Sequence, residues 1–370
     1  MSPSVCRTLA AFLFVAVSSC VGPADEDLLP AGQTDEWVGE LKKDNAGISA
    51  TLSVTRTTFG SADPVTVTLT IANSGRSAIR FLRWLGPSAE LEESLFSITR
   101  DGVPVSYTGP ELKRAIPTSE DMLVIVPGQS VSQEVALSGA YDFFATGAYV
   151  VRYEVANLAV GTEYGQKTGT LRSNELTLWI EGRSIAAPTP PAAGEIVTQG
   201  TISYTQCDAT QQSGMVQAVN QATTYATGAV TYLNGTPSAT PRYVTWFGAY
   251  SSSGWSTART HFVSIQDAFV NKPLSFNCKC KQKNVYAYVY PSQPYTIYPC
   301  GAFWSAPLSG TDSKGGTLIH EMSHFTVTAG TDDWVYGQSG CRSLAISDPT
   351  KALNNADSHE YFAENTPVQQ

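Results

Sequence analysis

The chain is 370 residues long, with 23 Lys and Arg against 32 Asp and Glu, a formal charge of −9, and 42% hydrophobic against 15% charged residues. That composition excludes a disordered or collagen-like chain and leaves room for two ordinary domains. The acidic balance argues against a nucleic-acid partner. The charge is unevenly divided: residues 200 onward hold 9 basic and 10 acidic groups, and the first 199 hold 14 and 22. Two regions of different character follow.

The N-terminus places Arg7 before an apolar run from Leu9 to Val17, too short for a membrane span and suited to an export signal. The run ends in Val17-Ser18-Ser19-Cys20, which resembles a bacterial lipobox. Residues 1–20 are therefore expected to be a signal peptide with Cys20 lipidated, and residues 21–45 a flexible tether. This places the precursor at a bacterial cell envelope. A lipid anchor is the expected membrane contact, and release of the second domain outside the cell is an option.

Residues 46–182 show short β runs separated by turn signals, among them Ala50 to Val54, Val65 to Ile71, Leu123 to Val126, Tyr149 to Val155 and Leu176 to Ile180. Phe96 to Thr99, Asp101-Gly102 and Val103 to Val105 read as a hairpin. Seven or eight such strands predict an all-β, immunoglobulin-like sandwich. It contains neither His nor Cys, so it reads as a pro-region or a binding module. Residues 183–200, rich in Pro and Ala, predict an exposed linker.

From residue 201 to 370 the pattern turns helical. Met215, Val219, Ala222, Ala226, Val230 and Leu233 recur at helical spacing, as do Ala258, Phe262, Ile265 and Phe269. Val285 to Tyr290 and Tyr295 to Tyr298 read as a β pair, and helices return from Thr317. Five cysteines lie here: Cys207, Cys278, Cys280, Cys300 and Cys341. In an oxidising compartment four of them can pair. Cys278 and Cys280 share one face of a strand and should not join each other, which leaves two pairings if Cys341 stays free.

Two of the four histidines form His320-Glu321-Met322-Ser323-His324. On a helix the two imidazoles share a face and can reach one metal, with Glu321 beside the first as a proton acceptor. This is the arrangement of zinc peptidases, whose catalytic zinc takes three protein ligands and keeps one position open. A metzincin third ligand is excluded, because Val327 and Gly330 stand where that class needs Gly and His. A gluzincin would take a Glu from a later helix, and Glu360 and Glu364 are available, but their surroundings do not match that class. Asp332 reads as a solvated turn residue, His261 as a hydrogen-bonded core residue, and His359 as either a support for the metal ligands or structural.

Gly330-Thr331-Asp332-Asp333-Trp334-Val335-Tyr336-Gly337 resembles the GTxDxxYG motif of the aspzincins, the deuterolysin family. Thr240 to Gly248, Ala287 to Pro291, Cys300 to Trp304 and Asn355 to Phe362 are similar to the peptidyl-Lys metalloendopeptidase branch, over about residue 204 to the C-terminus. The resemblance implies an α+β, mostly helical zincin-type domain, with one zinc held by His320, His324 and Asp333. It gives Tyr336 the role of stabilising the oxyanion, and Asp357 and Glu360 that of gripping the substrate lysine. Spacing agrees, since i and i+3 on a helix face the same way. The family pattern also favours Cys207 with Cys278 and Cys280 with Cys300.

The sequence therefore reads as an exported, monomeric zinc endopeptidase precursor that cuts protein or peptide substrates on the amino side of lysine. The alternatives are a broad-specificity deuterolysin-like protease and an inactive surface-anchored binding lipoprotein. On the first reading, self-cleavage within the linker is forbidden. Lys167 precedes it, Lys272 follows it, and residues 184–200 contain no lysine, so release there would need a second protease.

Overall fold

The computed structural model describes residues 47–162, 165–183, 196–199 and 202–369. The expected signal segment with Cys20, the tether to residue 45 and residues 184–195 of the expected linker lie outside the described residues. Among the described residues no helix is long and apolar enough to cross a membrane.

The N-terminal region is built from β-sheets. Ile48–Ser53, Thr66–Asn73 and Ser130–Ala136 form an antiparallel three-stranded sheet. Val67, Leu69 and Ile71 alternate with half-buried threonines, so one face is apolar. A larger sheet is organised around the long strand Gly147–Thr162. That strand pairs with Leu176–Ile180 and Phe96–Arg100 on its first half and with Gly165–Arg172 on its second. Both sheets feed one core, in which Leu69 and Ile71 meet Phe81, Tyr149, Val151 and Tyr153. The expected hairpin joins Phe96–Arg100 to Val103–Pro104, with Asp101 and Gly102 both at positive φ, 51° and 81°.

The C-terminal half is mixed α/β. Two long helices, Ala209–Leu233 and Ser252–Asn271, pack their apolar stripes into a common core with Trp246, Phe262, Ile319 and Phe362. The first helix opens with a capping box. Asp208 Oδ1 accepts from the Gln211 N–H at 2.8 Å, and Gln211 Oε1 accepts from the Asp208 N–H at 3.0 Å. Disulfides Cys207–Cys278 and Cys280–Cys300 form in the pairing the resemblance favours, and Cys341 is free and buried.

One sheet runs in the order Ile196–Gln199, Ile202–Thr205, Leu274–Asn277, Thr296–Pro299, Val285–Val289, Glu111–Arg114. Its two ends correct the sequence reading. Ile196–Gln199, assigned to the linker, pairs antiparallel with Ile202–Thr205. The linker composition stops at Gly194, and the β-favouring Ile196-Val197-Thr198 that follows can extend a sheet edge. Glu111–Arg114, counted with the sandwich, instead lies antiparallel on Val285–Val289 of the other half. All four of its residues are buried there, although three of them are charged.

A histidine pair, His359 buried and His261 half-buried, ties the Ser252–Asn271 helix to the last helix, Ala356–Glu364. His359 Nδ1 lies 2.9 Å from the Asn355 carbonyl, and His261 Nδ1 lies 3.0 Å from His359 Nε2. The carbonyl only accepts, so His359 donates through Nδ1 and receives at Nε2 from His261. Burial pushes His261 down to about 4 and, with His261 alongside, His359 down to about 3. As pH falls below about 6.5, the unfolded chain takes up protons that the folded one refuses, and stability is lost. His261→Gln is expected to reduce the slope of unfolding free energy against pH by about 1 kcal/mol per pH unit between roughly pH 6.5 and 5. Denaturant titrations at the two pH values measure this. Parallel slopes for parent and variant would mean that the His261 imidazole charges freely in the fold.

Candidate metal and peptide site

The helix Lys314–His324 is buried from Gly315 to its end. Its N-terminus is capped by Ser313 Oγ, which accepts from the Gly316 N–H at 2.9 Å. Glu364 Oε1 accepts in turn from Ser313 N–H at 2.9 Å and Ser313 Oγ–H at 2.7 Å. Glu364 thus anchors the helix start and stands away from the imidazoles. A Cβ at Gly316 would come within 2.0 Å of Glu364 Oε1 and 2.9 Å of Glu360 Oε1, so a side chain there would displace these carboxylates. His320 and His324, one turn apart, face the same cleft, with ring centroids 4.8 Å apart.

The chain then folds back on itself. Gly330, at φ 60°, sits in the turn. Thr331 N–H donates to the Ser323 carbonyl at 3.1 Å, and the Thr331 carbonyl accepts from His324 Nδ1 at 2.7 Å. His324 Nδ1 thereby carries the proton, and Nε2 is left as a free lone pair. The turn delivers Asp333, whose Oδ1 lies 3.2 Å from His320 Nε2 and whose Oδ2 lies 3.6 Å from His324 Nε2. Asp332 faces away and is exposed at the turn, as expected. Its backbone bridges to Asn355, and Asn354 Nδ2 donates to its Oδ2 at 2.9 Å.

His320 Nε2, His324 Nε2 and Asp333 Oδ1 are buried without a hydrogen-bond partner, and the three side chains offer ligand atoms within 4.8 Å of one another. Polar atoms buried unpaired and aimed at one point are costly unless a cation joins them. Burial pushes His324 down to about 4, so its ligand nitrogen is unprotonated at neutral pH. Burial also opposes charging of His320, but the Asp333 and Asp357 carboxylates hold it well above its usual value. A proton on His320 thus takes the place that a cation fits. Two imidazoles and one carboxylate with an open side suit zinc.

Glu321 is fully buried beside this group, and neither carboxylate oxygen has a hydrogen-bond partner. Burial pushes it up to about 8, against the pull of the His320 and Lys113 charges. The Tyr336 hydroxyl lies 3.1 Å from Asp333 Oδ2 and 2.9 Å from the Leu112 carbonyl oxygen, and its one proton can serve either.

Asp357 and Glu360, on the last helix, share one side with His320. Asp357 Oδ1 lies 2.8 Å from His320 Nδ1, and its Oδ2 accepts from Gly337 N–H at 2.7 Å. The same two carboxylates hold an ammonium: Lys113 Nζ is 2.7 Å from Glu360 Oε2 and 3.2 Å from Asp357 Oδ1, with Asp312 Oδ1 at 3.6 Å. Tyr286 and Tyr361 turn ring faces toward it at 5.3 and 5.9 Å. Burial resists the charge, yet the acidic neighbours keep Lys113 well above the ordinary lysine value. Lys113 is 1% exposed, so this is a closed pocket.

Every residue expected in the site is therefore in one place: His320, His324 and Asp333, with Glu321 and Tyr336 alongside and Asp357 and Glu360 behind His320. Sequence reasoning missed Asn355. Its Oδ1 accepts from the Trp334 and Val335 N–H groups at 3.0 and 3.1 Å, which fixes the loop between Asp333 and Tyr336. It also missed the Glu111–Arg114 strand.

A family model described as lysine-specific metallo-endopeptidase matches residues 232–364. An extracellular protease of Aeromonas hydrophila is 43% identical over 327 residues, which cover 87% of this chain and 93% of the relative. A peptidyl-Lys metalloendopeptidase of Grifola frondosa is 37% identical over 336 residues, 88% of this chain and 94% of the relative. A solved zinc peptidase structure from Grifola frondosa is 48% identical and covers 44% of this chain and 100% of its own, with a TM-score of 0.43.

Proposed function

The chain belongs to the aspzincin family of metalloendopeptidases, and we propose, from that premise, that it is an exported zinc enzyme cutting proteins on the amino side of lysine. One arrangement carries the specificity reading: a lysine ammonium seated on Glu360 and Asp357 while the carbonyl of the preceding residue rests on Tyr336. Lys113 stands here for the lysine of a substrate, and Leu112 for the residue before it.

His320, His324 and Asp333 would hold the zinc. Bound there, it supplies a Lewis-acid centre that polarises a carbonyl and acidifies a water. Glu321 accepts a proton from the attacking water and returns it to the departing lysine amine. The Tyr336 hydroxyl donates to the carbonyl oxygen as negative charge gathers there. Asp357 orients His320 through Nδ1 and also fixes the ammonium, so metal and lysine share one support.

The extracellular relative supports export. We read the N-terminal sheets, residues 46–182, as an immunoglobulin-like pro-region, residues 201–370 as the catalytic domain, and Cys20 as a lipidation site of the precursor. Asp333→Ala is expected to weaken zinc binding at least about tenfold as well as slow catalysis, because a ligand is removed. Competition with a chelating dye measures it, and parent-like affinity would place the third ligand elsewhere. Cleavage mapping on a denatured protein tests specificity. Cuts before lysine support the reading, and cuts without regard to lysine give the broad-specificity alternative.

A further inference from the structure

The strand Glu111–Arg114 has no task in the reaction as described, yet it lies across the site. Three independent contacts set it there. Its backbone extends the sheet, with Lys113 opposite Ala287 and Leu112 opposite Tyr288. Its Lys113 side chain fills the carboxylate pocket. Its Leu112 carbonyl meets the Tyr336 hydroxyl. Addition of an extended peptide to a sheet edge is a general mode of peptide recognition. The charged lysine would not give up water for an incidental packing contact, since burying an ion is costly unless its seat is well matched.

We infer that the Leu112–Lys113 bond is this enzyme's own first substrate, held in cis as a plug that blocks the cleft until it is cut. The inference rests on the proposed lysine specificity. In the step, water oxygen joins the Leu112 carbonyl carbon and the bond to the Lys113 nitrogen breaks. Leu112 leaves as a carboxylate, and the Lys113 nitrogen takes both protons of the water and leaves as an ammonium.

The surroundings favour a plug that opens after cutting. Arg114 is tied to its own N-terminal region, by Glu92 Oε2 at 2.9 Å, Glu93 Oε1 at 3.2 Å and the Trp84 ring at 4.3 Å. The strand is thus stretched across from that region. Strands on both sides of the bond, such as Thr66–Asn73 and Gly147–Thr162, share one core. The nicked region therefore stays folded while its two new ends are released from each other. Self-processing then occurs inside the N-terminal region, at Lys113, without requiring any cut in the lysine-free linker.

The test uses the full chain. Zinc-loaded parent, incubated alone, is expected to yield a fragment beginning at Lys113, identified by N-terminal mass spectrometry, at a rate independent of protein concentration. Glu321→Gln should yield none. Lys113→Met should not be cut at this position, and its initial rate on a lysine peptide should exceed that of uncut parent at least about tenfold. The basis is that a tethered plug acts at millimolar effective concentration. Binding gives a readout apart from turnover: by calorimetry, Glu321→Gln/Lys113→Met should bind a lysine peptide at least about tenfold more tightly than Glu321→Gln does. If the methionine variant does not fold, the fragment analysis of the parent decides alone. A parent that turns over added peptide while residues 112 and 113 stay joined overturns the inference, as does cutting there in Glu321→Gln. If cuts in a denatured protein still fall before lysine, only the inference has failed. If they ignore lysine, the specificity reading has failed.

Discussion

Glu321→Gln is expected to lower turnover by about four orders of magnitude with zinc still bound, the upper range for loss of a positioned proton acceptor. The carboxylate is fully buried, with both oxygens unpaired, next to His320. Glutamine keeps the shape and removes the basic site. The metal group, His320, His324 and Asp333, is untouched, so metal content by elemental analysis should match the parent. Activity within tenfold of the parent would remove Glu321 from its role.

Glu360→Gln is expected to cost lysine substrates a factor of several hundred in kcat/KM, corresponding to about 3–5 kcal/mol for an ammonium buried without its partner. Glu360 Oε2 makes the shortest of the ammonium contacts, 2.7 Å, and lies 3.6 Å from His320 Nδ1. Zinc affinity should therefore change little. Asp357→Asn should behave differently. Asp357 Oδ1 is 2.8 Å from His320 Nδ1, so this variant should lose lysine preference and also weaken zinc about 10–100-fold. Comparing kcat/KM and zinc affinity in the two variants separates the roles. Equal effects on zinc would mean that both carboxylates serve the metal alone.

The metal pair was legible because His320 and His324 lie four residues apart, and helical periodicity is a local property. Asp333, nine residues after His324, was reached through the Gly330–Gly337 resemblance. The geometry behind it is a single turn fastened by Thr331 to Ser323 and His324. Asp357 and Glu360 could be read as a pair at i and i+3, but nothing local tells what they hold.

The strand Glu111–Arg114 was not legible. Glu-Leu-Lys-Arg within a β-rich region looks like an exposed edge, and charged side chains are rarely buried. Its burial depends on carboxylates more than 200 residues away in the chain, Lys113 to Asp357 being 244 apart. Asn355 escaped for a similar reason. A lone asparagine before a helix reads as a cap, whereas here its Oδ1 accepts from the Trp334 N–H and its Nδ2 reaches Cys341 Sγ as well as Ser358 of its own helix.

The close approach at Gly316 has a last consequence. It seats the Glu364 and Glu360 carboxylates directly against the helix carrying the imidazoles, with no room for a side chain at 316 unless those carboxylates move. On the proposed reading, the separation between the ammonium seat and the bond to be broken is then a rigid gauge of side-chain length. A residue one methylene shorter should fail to reach the seat, and a longer, planar guanidinium should push the bond out of line. Discrimination would be geometric as well as electrostatic, and a larger residue at 316 should blur it before it abolishes catalysis.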